Sequence, residues 1–294
     1  MRWKKVTLVG VGLLGGSLGL ALKRRRLAGE VCGFVRRKAS VGECRRVGAV
    51  DWATLELWKA VSGADLVVLC TPLAQMRELV EQMVPSLKRG AIVTDVGSVK
   101  GSVVRELEGM VAGAGGHFVG SHPMAGAEKM GVAAAREDLF ERAVCVVTPT
   151  RRSNKAAVKK VEQLWKAVGA RVLRLSPQAH DDLVSRSSHL PHLIAATLAN
   201  AVLDPGRPPQ QKALCANGFR DTTRIASGSP EMWRDIVIAN RRNLSGALGS
   251  LVKELQKLQG VIRRGDDLAI SDFLAQAKAR RDRWVAENGS ASPE

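Results

Sequence analysis

The feature that most limits what this chain can fold into is the hexapeptide Gly10-Val11-Gly12-Leu13-Leu14-Gly15. It follows an apolar run, Lys5–Val9, that reads as a strand, and it opens a helical stretch extending to about Leu27. A second strand candidate, Val31–Val35, comes next. Strand, GxGxxG turn, helix and strand together make the first half of a dinucleotide-binding unit, whereas the hexapeptide alone would be a weak signal. The three glycines have separate duties: a tight turn, close approach of backbone to a pyrophosphate, and close helix–strand packing. The helix behind them turns its positive end to the phosphates. Gly10, Gly12, Leu13, Leu14 and Gly15 are therefore expected to line a nucleotide site.

The choice of nucleotide hangs on the end of the second strand. An acidic residue there holds the ribose 2′-hydroxyl of NAD, while arginine admits the 2′-phosphate of NADP. Here the strand runs Gly33-Phe34-Val35-Arg36-Arg37, with no acid. The reading favours NADP over NAD, with Arg36 and Arg37 as the phosphate clamp; the plainer alternative makes them two more members of a basic surface.

The rest of the amino-terminal part repeats the alternation. Strand candidates at Asp65–Cys70, Ala91–Asp95, His117–Gly120, Val144–Thr148 and Arg171–Leu175 are separated by helical patterns such as Gln75–Leu87 and Ala156–Val168. Strands divided by helices need crossover connections, which predicts an α/β fold: a Rossmann-type, doubly wound, mainly parallel sheet covered on both faces. After Leu175 the strand-like runs stop. Ser176-Pro177 looks like an N-cap followed by the first helical position. The expected division is a dinucleotide-binding domain over 1–175 and an all-helical domain over 176–294. Leu244, Leu248, Leu251, Leu255, Leu258 and Ile262 recur at spacings of four and three, an apolar seam that must be buried within its own domain or against another subunit. Gly206–Pro209 reads as a loop and Asn288–Glu294 as a frayed tail.

Composition narrows the function classes. Forty-five lysines and arginines against 28 acids give a formal net charge of +17. The basic residues are spread along the whole chain, and six Trp, five Phe and no Tyr supply few stacking partners. That pattern favours a solvated surface that attracts small anions, and no nucleic-acid partner is expected. The five cysteines are scattered without a CxxC pair, which argues against a disulfide framework or zinc ribbon and for a reducing, cytoplasmic setting. The basic start and apolar Leu8–Leu22 superficially resemble a signal peptide. Five glycines in that run, and no small-residue cleavage site before Lys23–Arg26, speak against it. No apolar run reaches the length of a membrane span.

Ligands of doubly wound sheets lie beyond the carboxyl ends of the strands. Three further loops leave such ends: Thr71-Pro72, beside the nucleotide; Gly97-Ser98-Val99-Lys100; and Ser121-His122-Pro123-Met124. Ser98 and His122 should thus share one sheet edge with the glycine turn. An imidazole next to a nicotinamide is suited to removing a proton from an alcohol as hydride departs. His122 is the expected general base and Ser98 its hydrogen-bonding companion. His189 and His192, three apart on a helix, could be a metal pair, but no HExxH motif or third ligand accompanies them, and no metal is expected.

Five segments carry a resemblance. Asp95-Val96-Gly97-Ser98-Val99-Lys100, the run Gly120 to Glu128 (GSHPMAGAE), Ser188-His189-Leu190-Pro191-His192, the run Gly218 to Ala226 (GFRDTTRIA) and Met232-Trp233-Arg234-Asp235 stand in the order found in the prephenate/arogenate dehydrogenase family. The chain resembles that family from about residue 5 to 240. The resemblance implies oxidative decarboxylation of a small anionic cyclohexadienol, in tyrosine biosynthesis. His122 would accept the ring hydroxyl proton and Ser98 would bond the same oxygen. His189 and Arg224 would hold substrate carboxylates. Glu128 and Arg220 would pair as a gate, although many relatives carry lysine at the latter position. It also implies a homodimer through the helical domain. Prephenate, giving 4-hydroxyphenylpyruvate, is the leading substrate, and arogenate, giving tyrosine, is the alternative. A non-catalytic nucleotide-sensing or nucleic-acid-binding protein is the competing reading from another class. The proline at Pro191 should kink its helix and re-aim a neighbouring side chain.

Overall fold

The computed structural model of the chain describes residues 2–126 and 129–288. Eight strands form one sheet: β1 (Trp3–Val9), β2 (Ala28–Phe34), β3 (Trp52–Thr54), β4 (Leu66–Leu69), β5 (Ile92–Asp95), β6 (His117–Pro123), β7 (Val144–Thr148) and β8 (Arg171–Arg174). Their spatial order is β3-β2-β1-β4-β5-β6-β7-β8, and every neighbouring pair is parallel except β6 with β7. The order reverses between β1 and β4, and at such a switch point the loops leaving the two strands part and open a crevice. The Rossmann-type sheet expected from sequence is therefore present.

Alternation along the strands explains why both faces are covered. In β4, Leu66 and Val68 belong to one hydrophobic cluster, and Val67 and Leu69 to the other. All four are fully buried, as a strand with helices on both faces requires. The first cluster holds Leu18 and Leu22 of the helix Leu13–Arg24 together with Trp165 of the helix Lys155–Ala167; the second holds Met76, Val80 and Met83 of the helix Leu73–Met83.

Two local features depart from expectation. The segment Trp52–Thr54 is an edge strand that the sequence pattern does not announce, because three residues are too few to display a period. The second concerns Ser121-His122-Pro123, expected as a loop. These residues prolong β6 and pair antiparallel with β7, His122 opposite Val146 and Pro123 opposite Cys145. β6 uses its first half for β5 and its second half for β7, so the strand outlasts its parallel neighbour.

Beyond β8 the chain is helical. Ser176 caps the helix Pro177–Val184 by accepting the Ala179 amide at 3.2 Å. A π-turn, Ser185–His189, leads into the helix Leu190–Val202. Pro191 explains the wide turn: it has no N–H to donate, and in a regular α-helix its ring would strike the carbonyl of Ser187. Shorter helices at Pro209–Ala213, Asn217–Thr223 and Pro230–Ala239 follow, with a 3₁₀ turn at Arg224–Ser227. Residues 1–241 form one compact unit and 242–294 a second. In the second, a left-handed glycine, Gly265, ends the helix Arg241–Arg264 before the helix Asp267–Asn288 begins. No helix among the described residues is long and apolar enough to cross a membrane.

Candidate active site

The glycine turn sits at the reversal point. Gly10 adopts φ +94°, a left-handed conformation, and a side chain there would strike the Cys70 carbonyl and the Thr71 methyl. A Cβ on Gly15 would fall 2.1 Å from the Gly10 carbonyl oxygen, which closes the turn to any other residue. Gly12 differs, since a Cβ there would meet nothing within 4 Å among the described residues. That open space lies where a pyrophosphate must approach the backbone. The helix starting at Leu13 has no side-chain cap and no acid in its first turn, so its leading amides are left for an anion. Thr71 Oγ1 is buried without a hydrogen-bond partner among the described residues. This cradle fits a dinucleotide. Arg36 and Arg37, just past β2, are both exposed, and Pro72 caps the helix Leu73–Met83.

Across the carboxyl ends lies a chain of buried polar groups. His122 Nδ1 is 2.8 Å from His180 Nε2, and His180 Nδ1 is 2.8 Å from Asp181 Oδ1. His180 is fully buried and His122 nearly so. A carboxylate can only accept, so His180 Nδ1–H donates to Asp181 and its Nε2 accepts from His122 Nδ1–H. The lone pair of His122 is thereby left on Nε2. Burial, reinforced by His180, Lys100 and His189, holds the His122 imidazole well below its ordinary 6.5. The ring is neutral at physiological pH and available as a proton acceptor.

Asp181 has further duties. Its two oxygens accept the amides of Lys100 at 2.7 Å and Gly101 at 2.8 Å, capping the helix Gly101–Gly113 that follows Ser98. Its backbone carbonyl accepts from Asn240 Nδ2 at 2.8 Å, and the same amide lies 3.2 Å from His189 Nδ1. With Asn240 donating, His189 Nδ1 is an acceptor and its proton sits on Nε2. The Ser98 backbone approaches this ring, yet Nε2 makes no hydrogen bond among the described residues. Burial, with a smaller push from His180, lowers His189 to about 4, against the opposing pull of Asp181 and the Ser98 backbone. It is a buried neutral donor approached by the Ser98 backbone but without an acceptor in hydrogen-bond geometry among the described residues.

The strand ends themselves are braced by a buried ion pair between Lys100 and Asp95, both fully buried. Asp95 also accepts the Gly97 amide at 2.9 Å and the Ser121 amide at 3.1 Å. Ser121 Oγ in turn donates to the Asp95 carbonyl at 2.6 Å and accepts from Trp165 Nε1 at 3.0 Å. One carboxylate thus ties the loop bearing Ser98 to the strand bearing His122.

Ser98, His122 and His189 are brought together by this network. Arg224 opens the 3₁₀ turn packed on the helix Leu190–Val202, and Arg220 lies one helical turn before it; both are exposed. Glu128 falls outside the described residues. Sequence reasoning missed His180, Asp181 and Asn240. A His-Asp pair one turn into a capped helix carries no recognisable spacing, because its partner is 58 residues away.

A sheet that reverses beside a glycine cradle, with a neutral imidazole and a hydroxyl at the same edge, defines a nicotinamide-dependent dehydrogenase. Comparison with known proteins narrows this further. Residues 18–174 match the prephenate dehydrogenase nucleotide-binding domain, and 176–276 match the prephenate dehydrogenase dimerization domain. The chain belongs to the prephenate dehydrogenase family. It is 34% identical to prephenate dehydrogenase of Bacillus subtilis, over 98% of this chain and 78% of that one. Its structure superposes on prephenate dehydrogenase of Aquifex aeolicus, in complex with hydroxyphenyl propionate and NAD+, with a TM-score of 0.90. There the identity is 33%, covering 96% of this chain and 99% of the other. For Synechocystis arogenate dehydrogenase the corresponding values are 0.81, 31%, 96% and 100%.

Proposed function

We propose that the chain oxidatively decarboxylates prephenate to 4-hydroxyphenylpyruvate, with His122 as general base. The observation that carries this reading is the His122–His180–Asp181 chain, which fixes the His122 tautomer and leaves Nε2 to accept. A nicotinamide held at the glycine cradle supplies the hydride acceptor. His122 takes the hydroxyl proton, and Ser98 Oγ holds the same oxygen. His189 Nε2–H and the Arg224 guanidinium orient the substrate's two carboxylates, the latter in the bidentate fashion suited to arginine. Glu128 and Arg220 act as the gate over the site. When the ring carboxylate leaves as carbon dioxide, its bonding pair makes the ring aromatic, and the proton on His122 returns to the new phenolate oxygen. The test is cofactor reduction on adding prephenate. The expected result is turnover that falls by about 10²–10⁴-fold in His122→Asn, the usual worth of a general base. Cofactor binding without turnover would return the protein to the non-catalytic, nucleotide-sensing class, and full activity in that variant would remove His122 as the base.

Arogenate is the second reading, favoured by the similarity to the Synechocystis enzyme. The two substrates differ only in a keto against an amino group, so kcat/KM on each decides. We further propose that NADP is preferred, since Arg36 and Arg37 stand where an acid would hold the NAD ribose. The Aquifex relative was captured with NAD+. Replacing both residues in Arg36→Ala/Arg37→Ala should raise KM for NADP at least about ten-fold, as loss of a charge-assisted phosphate contact implies, and leave NAD unchanged. Equal KM values for NADP in both proteins would remove the clamp. The five thiols are all free, which supports a reducing cytoplasmic setting. The division into 1–175 and 176–294, with the second part forming the dimer, is proposed on the same footing.

A further inference from the structure

At the amino ends of β1, β4 and β5, on the sheet edge opposite Ser98 and His122, lies a cavity of about 400 Å³. Its charge is lopsided. Arg2, Lys4, Lys88, Arg89 and Lys160 line it, against the single carboxylate of Asp65. That carboxylate is already engaged: Lys88 Nζ binds it at 2.5 Å and the Lys4 amide at 2.9 Å. Arg2, Lys4, Arg89 and Lys160 have no acidic partner within ion-pair distance among the described residues. Gathering like charges around one concavity is unfavourable unless an anion relieves it.

A second observation concerns the wall. Trp3 lines the cavity, is only 5% exposed, and its indole N–H has no hydrogen-bond acceptor among the described residues. A buried donor without an acceptor is costly, so the wall of this cavity carries an unsatisfied polar group. The Lys160 ammonium lies 5.9 Å from the Trp3 ring centroid, so cation and indole form one wall.

We propose that this cavity is a second ligand site, taking a small oxyanion with two or more negative charges, of the pyrophosphate or polycarboxylate type. It is separate from the nucleotide cradle and independent of the reading given for the catalytic edge. Isothermal titration tests it on the full chain saturated with NAD+, so that the phosphate sites of the glycine turn are filled. Sodium pyrophosphate and sodium citrate are the probes, with sodium chloride at matched ionic strength as the reference. The expected result is saturable binding of at least one probe, one per chain. Arg89→Ala/Lys160→Ala should weaken it ten-fold or more, while Arg280→Ala/Arg281→Ala, on the helix Asp267–Asn288, which does not line the cavity, should not. Both cavity side chains are exposed, so the fold should survive; Lys160→Gln, which removes the charge while keeping most of the side chain, gives the same direction with a smaller effect. Turnover in the absence of probe should match the parent in every variant. Pyrophosphate alone binding supports a phosphate-type ligand, and citrate alone a carboxylate-type one. No saturable binding, loss equal in both double variants, or binding indifferent to the cavity variants would overturn the site and leave an adventitious ion only.

Discussion

His122 works through the groups behind it. Its Nδ1 is committed to His180, whose own Nδ1 is committed to Asp181, and all three are buried. Asp181→Asn would put an amide in place of the obligate acceptor and release the tautomer. In a serine-protease triad the same change costs about 10⁴ in kcat. Here kcat should fall by roughly 10² or more with KM little altered, because the lost interaction strengthens only as His122 becomes positive. An unchanged kcat would reduce the chain to packing. The pH dependence follows from the direction of the His122 shift. A base whose pKa is lowered stays neutral down to a lower pH, so kcat/KM should be flat around neutrality and decline only below 6.5. A profile that declines already on going from pH 8 to 7 would contradict the burial argument.

Among the elements, the glycine turn gives the separate duties of Gly12 and Gly15 a geometric form. Gly15 has no room for a Cβ and Gly12 has open space. Gly15→Ala should therefore damage both folding and nucleotide binding. Gly12→Ala should keep the Tm within a degree or two and weaken cofactor binding by about ten-fold or more, since the added methyl stands where the pyrophosphate approaches. Thermal melts and cofactor titrations of the two variants distinguish the cases; equal loss of Tm in both would refute the assignment of open space. The π-turn before Leu190 is the other element with consequence. Pro191 widens the helix where His189 must meet Asn240 with one ring nitrogen and leave the other unpaired.

For the whole molecule, the unit 242–294 carries several large apolar side chains that are exposed. In the helix Arg241–Arg264, Leu248 is 38% exposed, Leu255 52% and Ile262 58%. In the following helix Phe273, Leu274 and Trp284 are also exposed. Large apolar side chains left exposed along a helix suit an association face, and the region overlaps the match to the dimerization domain. Leu255→Lys/Ile262→Lys should shift sedimentation from dimer toward monomer. A dimer as stable as the parent would place the contact elsewhere.

Periodicity and the glycine hexapeptide determined the sheet except its edge strand Trp52–Thr54, the alternating helices and the nucleotide cradle, because those signals are local: strand alternation, helix period and turn chemistry all act within a few residues. The same reasoning reached Ser98 and His122, since a parallel sheet puts the loops at strand carboxyl ends on one edge. It could not reach His180, Asp181 or Asn240. Only the tertiary structure brings Asp181 onto the amides of Lys100 and Gly101, 81 and 80 residues away in the chain, and sets His180 behind His122. Nor could it show that β6 outruns β5 to place His122 in a strand. Those outcomes depend on which buried polar groups must satisfy one another across the fold, and that requirement leaves no spacing to read along the chain.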